Sequence, residues 1–562
     1  MANNLSSSPS TLDLSLYLVT NSDNLPPGCL FEQTVEEAII GGVTIVQLRE
    51  KHLSTSLFLH RANLLRQICK SPVKLIINDR IDIALASQAD GVHLGQQDMP
   101  IPVARKILGP LAIIGKSVNT IDEALLAVQE GATYLGIGTC WPTATKLIPN
   151  HKIIGPRGVK SIRDELYRLG YSIPMVVIGG INTNNLIRTL YGSISNQFYT
   201  TTHSESTIGL AVVSAVMSSS NPRQAATDLK KLIHDFSNWL QTKYISLIDS
   251  NFNPQISNSI NQFIQNNNSK LIHHITNTVV QNDCANLALA LGCSPLMSSN
   301  LNELEDLVSA HSGSLIFNIG TFNINQIDAM KLAGRKANLI GKPIIFDPVG
   351  VNATQERIRL ANELLNHVQM SVIKGNQAEI ATLLNCKTAL INSCGVDAKG
   401  QLAEPAKIVS QLARREHCVV AMTGETDWIS DGSYIIKLQN GIKKLSSITG
   451  SGCMTGTSIG CFASVIGQTQ QNDSKNGLLT LLDHNASRRL LISAILGIST
   501  INISAEITDR WAQDHPEFGP NLLRVKMIDR IYQAEKTGFW DKVREEIKIS
   551  VYLNEECDST FS

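Results

Sequence analysis

Short apolar runs recur along the first 220 or so residues, each followed by a longer stretch in which apolar and polar positions alternate with helical spacing. The runs are LYLVT (16–20), VTIVQLR (43–49), KLIIN (74–78), GVHLG (91–95), AIIGKS (112–117), YLGIG (134–138), MVVIGG (175–180) and LAVVSA (210–215). They are rich in Leu, Ile and Val with little alternation, as strands buried on both faces are. The stretches between them, such as TIDEALLAVQEG, read as amphipathic helices. Eight such units predict a closed (β/α)8 barrel; the alternative from the pattern alone is an open doubly wound sheet.

The pattern changes after residue 218. SSSNPRQAATDLKKLIHDFSNWLQTKY predicts a helix leaving the barrel, and DSNFNPQISNSI and QNNNSK are polar and Asn-rich, as linkers and exposed turns are. The expected domains are 1–238 and 239–562, joined near 235–255. The second half alternates strands and helices again, in GSLIFNIG, PIIFDPVG, SVIKGN and CVVAMTGE. Its strands end in Gly, Asp or Asn, the signature of an open α/β sheet with ligands at the strand ends. Two polar inserts, 191–207 and 467–477, read as surface loops.

Composition narrows the functional classes. The 562 residues carry a formal net charge of +0, which favours neither nucleic acid nor an anionic membrane as partner. No Lys, Arg or His precedes Arg49, so no export signal is expected. Apolar runs such as LLISAILGI read as too short to span a bilayer. Eleven cysteines show no CxxC pair and no zinc spacing, and are expected as reduced thiols in a cytoplasmic protein.

In a barrel, chemistry belongs at the C-terminal strand ends. QLREK brings Gln47, Arg49 and Lys51 to one face of the second strand's end. Asn78 and Asp79 close the third strand, and Asp98 follows the fourth. Two carboxylates facing two cations suit a Mg²⁺-bound polyphosphate, although either Asp alone could be a helix N-cap. Ser117 ends the fifth strand, and CWPTATK supplies Thr143, Thr145 and Lys146 after the sixth. Gly179–Gly180 and Val213–Ser214 end the last two strands, where barrels commonly cradle a phosphate.

In the second half no GxxxxGK[ST] occurs. GSGCMTG, at 450–456, misses the dinucleotide pattern because its third glycine comes late, and the acidic residue about twenty positions on, Asp473, lies in a polar loop. It fits a helix N-terminus that holds a phosphoryl group, with Cys453 in the first turn. A thiol there is expected to have a lowered pKa and to act as base, against the alternative of a small buried hydrophobe. Cys461, further along the helix, reads as filler.

These residues also carry resemblances. QLREK, NDR, GVHLGQQDMP, PTATK and VVIGGIN resemble thiamine phosphate synthase over nearly all of 12–217. The resemblance implies that Gln47, Arg49, Lys51, Asn78, Ser117 and Lys146 contact an aminopyrimidine-methyl diphosphate. It implies Asp79 and Asp98 on Mg²⁺, and Thr143, Thr145, Gly180, Val213 and Ser214 on a thiazole phosphate. HHITNTVVQNDCANLALALGCSPLMSS, FNIGT, IIFDPVGVNAT, KGNQAEI and TGSGC resemble hydroxyethylthiazole kinase, of the ribokinase-like fold, over about 271–540. That resemblance implies Met297 and Gly450 on the thiazole, Lys374 and Thr423 on ATP, and Asp347 and Glu379 on the Mg²⁺ side. Kinases of related fold commonly place Asp where this family has Cys453, and the family implies a homo-oligomer built on a kinase-domain trimer. The domain order resembles the bifunctional thiamine-biosynthetic enzymes of fungi, acting on small molecules. The rival readings are a sensor of thiamine intermediates with one catalytic half lost, and a fusion of two unrelated phosphate-sugar enzymes.

Overall fold

The structure is a computed structural model and describes residues 12–143, 153–195, 208–242, 252–268, 270–310, 312–385, 392–394, 397–399, 404–467, 477–482, 484–515 and 518–553. The chain divides into two compact units, residues 1–240 and 241–562.

The first unit is a closed barrel of eight parallel strands in sequential order. These are β1 (Leu16–Val19), β2 (Ile45–Leu48), β3 (Lys74–Asn78), β4 (Gly91–Leu94), β5 (Ile113–Val118), β6 (Tyr134–Ile137), β7 (Met175–Ile178) and β8 (Gly209–Val212). The open-sheet alternative is therefore excluded. Closure leaves no edge strand, and both faces of every strand are covered, which is why the runs read as continuously apolar. Tyr17, Val19, Ile45, Ile76, Tyr134, Val176 and Ala211 fill the interior. Side-chain alternation then turns Gln47, Asn78, His93 and Ser117 inward as well. The helix predicted from TIDEALLAVQEG spans Ile121–Gln129, with the Thr120 hydroxyl accepting the Glu123 N–H as its cap.

Two expectations change in detail. The eighth strand ends at Val212, not at 215: Val213 leaves extended geometry (φ −122°, ψ −85°) and caps a short helix beginning at Ser214. The insert 191–207 does not begin as a surface loop, because Tyr191, Ser193, Ile194 and Ser195 are buried; residues 196–207 lie outside the described residues. The helix Pro222–Thr242 follows β8 as expected.

The second unit is a nine-stranded sheet in the order β10-β9-β11-β12-β13-β16-β17-β18-β19. Its strands are β9 (Leu271–Ile275), β10 (Ser294–Met297), β11 (Gly313–Asn318), β12 (Ile344–Asp347), β13 (Val372–Asn376), β16 (Val419–Thr423), β17 (Asp427–Ser430), β18 (Tyr434–Leu438) and β19 (Ile549–Leu553); β14 (Asn392–Cys394) and β15 (Asp397–Lys399) form a separate hairpin. The first six in sheet order run parallel, and β17, β18 and β19 continue antiparallel.

The stretch read as a polar linker is a helix, Phe252–Asn266. Its Asn and Ser residues mask a stripe of Phe252, Ile256, Ile260 and Phe263, spaced for one helical face and all buried. Phe263 packs on Phe462 with ring centroids 4.2 Å apart. Burying each such side chain contributes about 1.5–3 kcal/mol, enough to order a segment that composition alone marks as a linker.

The helix Ser451–Ile466 lies over the sheet, and small residues set its approach. A Cβ on Gly460 would lie 2.3 Å from Ile316 Cδ1. The helix His484–Ala512 packs against it at Gly497, where a Cβ would lie 2.6 Å from the Ile459 backbone. This corrects the reading of LLISAILGI as part of a short run. Asn485–Ala512 is long and apolar enough to cross a membrane by length and composition, yet 94% of its most apolar window is buried inside the unit. It is a core helix, with Leu491, Ala494, Ile495 and Leu496 buried.

Candidate active sites

A cavity of about 860 Å³ opens at the C-terminal end of the barrel strands. Gln47, Arg49, Lys51, Asn78, Asp79, Asp98, Ser117, Thr143, Gly180, Val213 and Ser214 all line it. Thr145 and Lys146 lie outside the described residues. Residues from seven strand ends and loops, spread from Gln47 to Ser214, thus converge on one space.

Local chemistry explains the placements. Glu50, buried beside Arg49, accepts the Thr20 hydroxyl at 2.9 Å and the Ser22 hydroxyl at 2.6 Å. The same Thr20 hydroxyl accepts the Arg49 N–H at 3.0 Å. The loop carrying Arg49 and Lys51 is thereby tied to the end of β1. Burial pulls the Arg49 guanidinium below its usual value, opposed by the charge of Glu50. Asp98 accepts the Gly95 N–H at 2.6 Å, and the Lys116 ammonium donates to the Gly95 carbonyl at 2.8 Å, so the turn after β4 is held from both sides.

Asp79 sits at φ +64°, a conformation rare outside glycine, and its carboxyl is raised by burial and by Asp98, with which it shares a hydrogen bond. Two carboxylates so held repel each other unless a proton or cation lies between them. Gly180 also has positive φ, +62°, and a Cβ there would fall 2.4 Å from the Pro142 carbonyl oxygen. Only glycine fits that turn.

Three residues of this site were not singled out from sequence. Tyr17, His93 and Tyr134 form a buried hydrogen-bonded row beneath the cavity. In a hydrophobic pattern Tyr counts as apolar, and one His in an apolar strand reads as core. The available signal was Gly115 and Gly136, which leave room for these rings.

The second site lies at the C-terminal edge of the parallel strands, where the helix Ser451–Ile466 begins. Gly450 caps it at φ +84°. The N–H groups of Ser451 and Met454 bond to Ile448 and Gly450, while those of Gly452 and Cys453 between them have no backbone acceptor among the described residues. Cys453 Sγ accepts from Asn318 Nδ2 at 3.2 Å and Asn277 Nδ2 at 3.6 Å. Asn318 and Asp347 are register partners on β11 and β12, and the Asn318 amide also donates to Asp347 at 3.1 Å. Both amides were missed beforehand; the strand-end Asn in ITN and FNIG was their only trace.

Cys453 differs from expectation in one respect. Its thiol is pushed up to about 12, not down: burial and the Asp347 carboxylate outweigh Lys374 and the two amides. Cys453 is in turn hydrogen-bonded to Asp347, whose carboxyl is raised by burial against the pull of Lys374. Lys374 Nζ lies 3.4 Å from Asp347 Oδ1, and a Cβ on Gly452 would fall 2.8 Å from that ammonium. Burial opposes the Lys374 charge, but Asp347 and Glu379 hold its pKa above the usual lysine value.

Glu379 closes a capping box with Asn376 and accepts N–H groups from Gly350 at 2.8 Å and Asn376 at 2.7 Å; burial and Asp347 push its carboxyl up to about 7. The cation among these carboxylates is thus Lys374, and protein donors occupy both. Asp347 and Glu379, expected on the Mg²⁺ side, thus stand beside Lys374 at this strand edge. Met297 ends β10 and Thr423 ends β16, on either side of this centre along the same sheet edge. Cys461 is fully buried, as filler is.

Barrel and sheet together define a two-site transferase, one site at the C-terminal ends of the barrel strands and one at a helix N-terminus. Comparison with known proteins gives the same division. The family model described as thiamine monophosphate synthase matches residues 16–215, and that of the hydroxyethylthiazole kinase family matches residues 262–490. A probable thiamine biosynthetic bifunctional enzyme of Schizosaccharomyces pombe is 39% identical over 487 residues, covering 86% of this chain and 90% of its own. The thiamine biosynthetic bifunctional enzyme of Saccharomyces cerevisiae is 36% identical over 557 residues, covering 93% and 95%. A hydroxyethylthiazole kinase of Clostridium tetani is 35% identical over 271 residues, covering 48% of this chain and 90% of its own. The chain belongs to the family of thiamine biosynthetic bifunctional enzymes, with a thiamine phosphate synthase domain and a hydroxyethylthiazole kinase domain, both transferases. Its kinase domain uses ATP as phosphate donor.

Proposed function

We propose that the second domain phosphorylates the hydroxyethyl group of 4-methyl-5-(2-hydroxyethyl)thiazole, and that the barrel joins this phosphate to 4-amino-2-methyl-5-pyrimidinylmethyl diphosphate. The products are thiamine phosphate and pyrophosphate. The observation that carries the reading is the single cavity that gathers eleven of the thirteen barrel residues expected on the two substrates and the metal.

In the barrel, Asp79 and Asp98 fit Mg²⁺, because they are held against each other and burial and Asp98 raise Asp79 more than Arg80 and Lys51 lower it. When bound, the ion supplies charge that neutralises the departing diphosphate. Arg49 and Lys51 bind the same oxygens from the other strand end. Gln47, Asn78 and Ser117 orient the pyrimidine. The C–O bond to diphosphate breaks, the methylene cation is stabilised by its ring, and the thiazole nitrogen adds to it. Thr143, Gly180, Val213 and Ser214 hold the thiazole phosphate, using the free N–H groups at the start of the short helix. No protein nucleophile is required.

In the kinase, the N–H groups of Gly452 and Cys453, together with Lys374, steady the transferred phosphoryl group. Met297 and Gly450 border the thiazole, and Thr423 the nucleotide. A thiol near 12 is not a resting thiolate, so Cys453 works with Asp347. The substrate hydroxyl proton passes to Cys453 as the thiol proton passes to Asp347; the alkoxide oxygen bonds to phosphorus and the bond to ADP breaks. Asp347, raised by burial, is suited to receive that proton.

We further propose a homo-oligomer built on a kinase-domain trimer. Support comes from the kinase family match and from Val279 and Ile324, exposed apolar side chains near the kinase strand ends. A monomeric mass by light scattering would refute it. For the activity itself, purified protein supplied with ATP, Mg²⁺, the thiazole alcohol and the pyrimidine diphosphate is expected to form thiamine phosphate. No product under those conditions would reject the reading.

A further inference from the structure

Five polar groups run without a gap across the floor of the barrel cavity. Gln47 Nε2 donates to the Tyr17 hydroxyl at 2.8 Å, and the Tyr17 and Tyr134 hydroxyls are 2.7 Å apart. The Tyr134 hydroxyl is 3.0 Å from His93 Nδ1, and His93 Nε2 is 2.8 Å from Ser117 Oγ. The row is built into the strand register, which sets His93 beside Gly115 and Gly115 beside Tyr134. A Cβ on Gly115 would fall 2.1 Å from Tyr134 Cζ, and one on Gly136 would fall 2.9 Å from His93 Cε1. The bond-making steps above use none of the three middle groups.

Counting hydrogens gives the row a direction. Burial raises both phenols, so each keeps its one hydrogen. Tyr17 receives the Gln47 N–H, and its own hydrogen therefore goes to Tyr134. Tyr134 gives its hydrogen to Nδ1 of His93. A ring nitrogen that accepts is the bare nitrogen of a neutral imidazole, so the single N–H is on Nε2. That N–H goes to Ser117, whose own hydrogen is left for the cavity. The Gln47 nitrogen facing Tyr17 sets this order, because in the reverse order the Tyr17 hydrogen would meet another donor. At the other end the Gln47 nitrogen is committed to Tyr17. Its carbonyl oxygen has no protein partner among the described residues and remains for the cavity.

We propose that the Tyr17–Tyr134–His93 row sets the specificity of the barrel by fixing Gln47 as a hydrogen-bond acceptor and Ser117 as a donor. This pair matches the amino N–H and a ring-nitrogen lone pair of an aminopyrimidine. An oxo group in place of the amino group presents an acceptor to the Gln47 oxygen and is rejected. The three residues are positioning residues; they act through Gln47 and Ser117. The inference rests on the reading of the barrel substrate as an aminopyrimidine diphosphate.

The test measures kcat/KM for the 4-amino diphosphate and the 4-oxo analogue, with thiazole phosphate as acceptor, in wild type, Tyr134→Phe and Tyr17→Phe, alongside thermal unfolding. The amino-to-oxo ratio is expected to fall about tenfold or more in each variant, because Gln47 and Ser117 are then free to turn. The KM for thiazole phosphate is expected to stay within about twofold, a split that general loosening of the barrel would not produce. His93→Gln, which keeps a side-chain N–H, is expected to recover part of the ratio lost in His93→Phe. An unchanged ratio in either folded Tyr variant would overturn the proposal, as would equal losses for both substrates. A wild-type protein that fails to consume the aminopyrimidine diphosphate would overturn the substrate reading itself, and this inference with it.

Discussion

Replacing Cys453 gives the sharpest view of the kinase centre. The thiol sits in the first turn of its helix, accepts two amide N–H groups, and is pushed up to about 12 by burial and Asp347. At pH 7.5 the gap to a free thiolate is about 4.5 units, or roughly 6 kcal/mol. A base that had to ionise first would forfeit most of its advantage, so the proton must leave toward Asp347 as the substrate proton arrives. Cys453→Ala removes the relay and is expected to lower kinase kcat by about 10²–10⁴-fold, the usual worth of a positioned acid–base group. Cys453→Asp places a carboxylate in the same position and is expected to retain most of the rate. Cys453→Ser keeps a hydrogen bond but not an adequate base, and is expected to resemble Ala. ADP release with the thiazole alcohol measures the kinase, and pyrophosphate release with supplied thiazole phosphate measures the synthase, expected to be unchanged in all three. In the free enzyme at pH 7.5, alkylation of Cys453 by iodoacetamide is expected to be slower than that of a free peptide thiol. A kinase at full speed in Cys453→Ala, or rapid alkylation at neutral pH, would refute this account.

Two other perturbations follow from the geometry. Asp98→Asn leaves an acceptor for the Gly95 N–H but removes one of the paired charges; the Mg²⁺ concentration for half-maximal synthase activity is expected to rise more than about tenfold, with the kinase unaffected. Asp427 is buried, accepts the Gly424 N–H at 3.0 Å and an amide N–H of Asn502 at 2.7 Å, and is pushed up to about 6 by burial. A carboxyl raised on folding adds stability that is fully present below its unfolded pKa of about 4 and is lost as pH rises through about 6. The loss totals about 3 kcal/mol, and between pH 4.5 and 7 urea unfolding should show about 2 kcal/mol more of it in wild type than in Asp427→Asn.

The legible parts of this chain were those in which local chemistry and global position coincide. Strand ends carrying Gln47, Asn78 and Asp79 announce themselves because charged and amide groups interrupt apolar runs. The eight-unit rhythm fixes the barrel for the same reason. What stayed hidden depends on neighbours that only folding supplies. The Phe252–Asn266 helix looked like a linker because five apolar residues were outnumbered by Asn, Ser and Gln. The Tyr17–Tyr134–His93 row is assembled across strands far apart in sequence. Cys453 was found by its place in GSGC, yet its proton affinity was misjudged, because a helix N-terminus suggests a lowered pKa and only the structure shows Asp347 behind the sulfur. Glu379 shows the converse: a conspicuous acid in GNQAE turns out to cap its own helix.

The central claim, two sites in sequence on one chain, is tested most directly by mixing two crippled proteins. Arg49→Ala, blocked in the barrel, is expected to convert the thiazole alcohol and ATP into thiazole phosphate and to stop there. Cys453→Ala is expected to form thiamine phosphate only when thiazole phosphate is supplied. Mixed in equal amounts with ATP, Mg²⁺, the alcohol and the pyrimidine diphosphate, the two should together form thiamine phosphate, followed by ³¹P NMR. Formation of thiamine phosphate from the alcohol by either variant alone, or none by the mixture, would contradict the account.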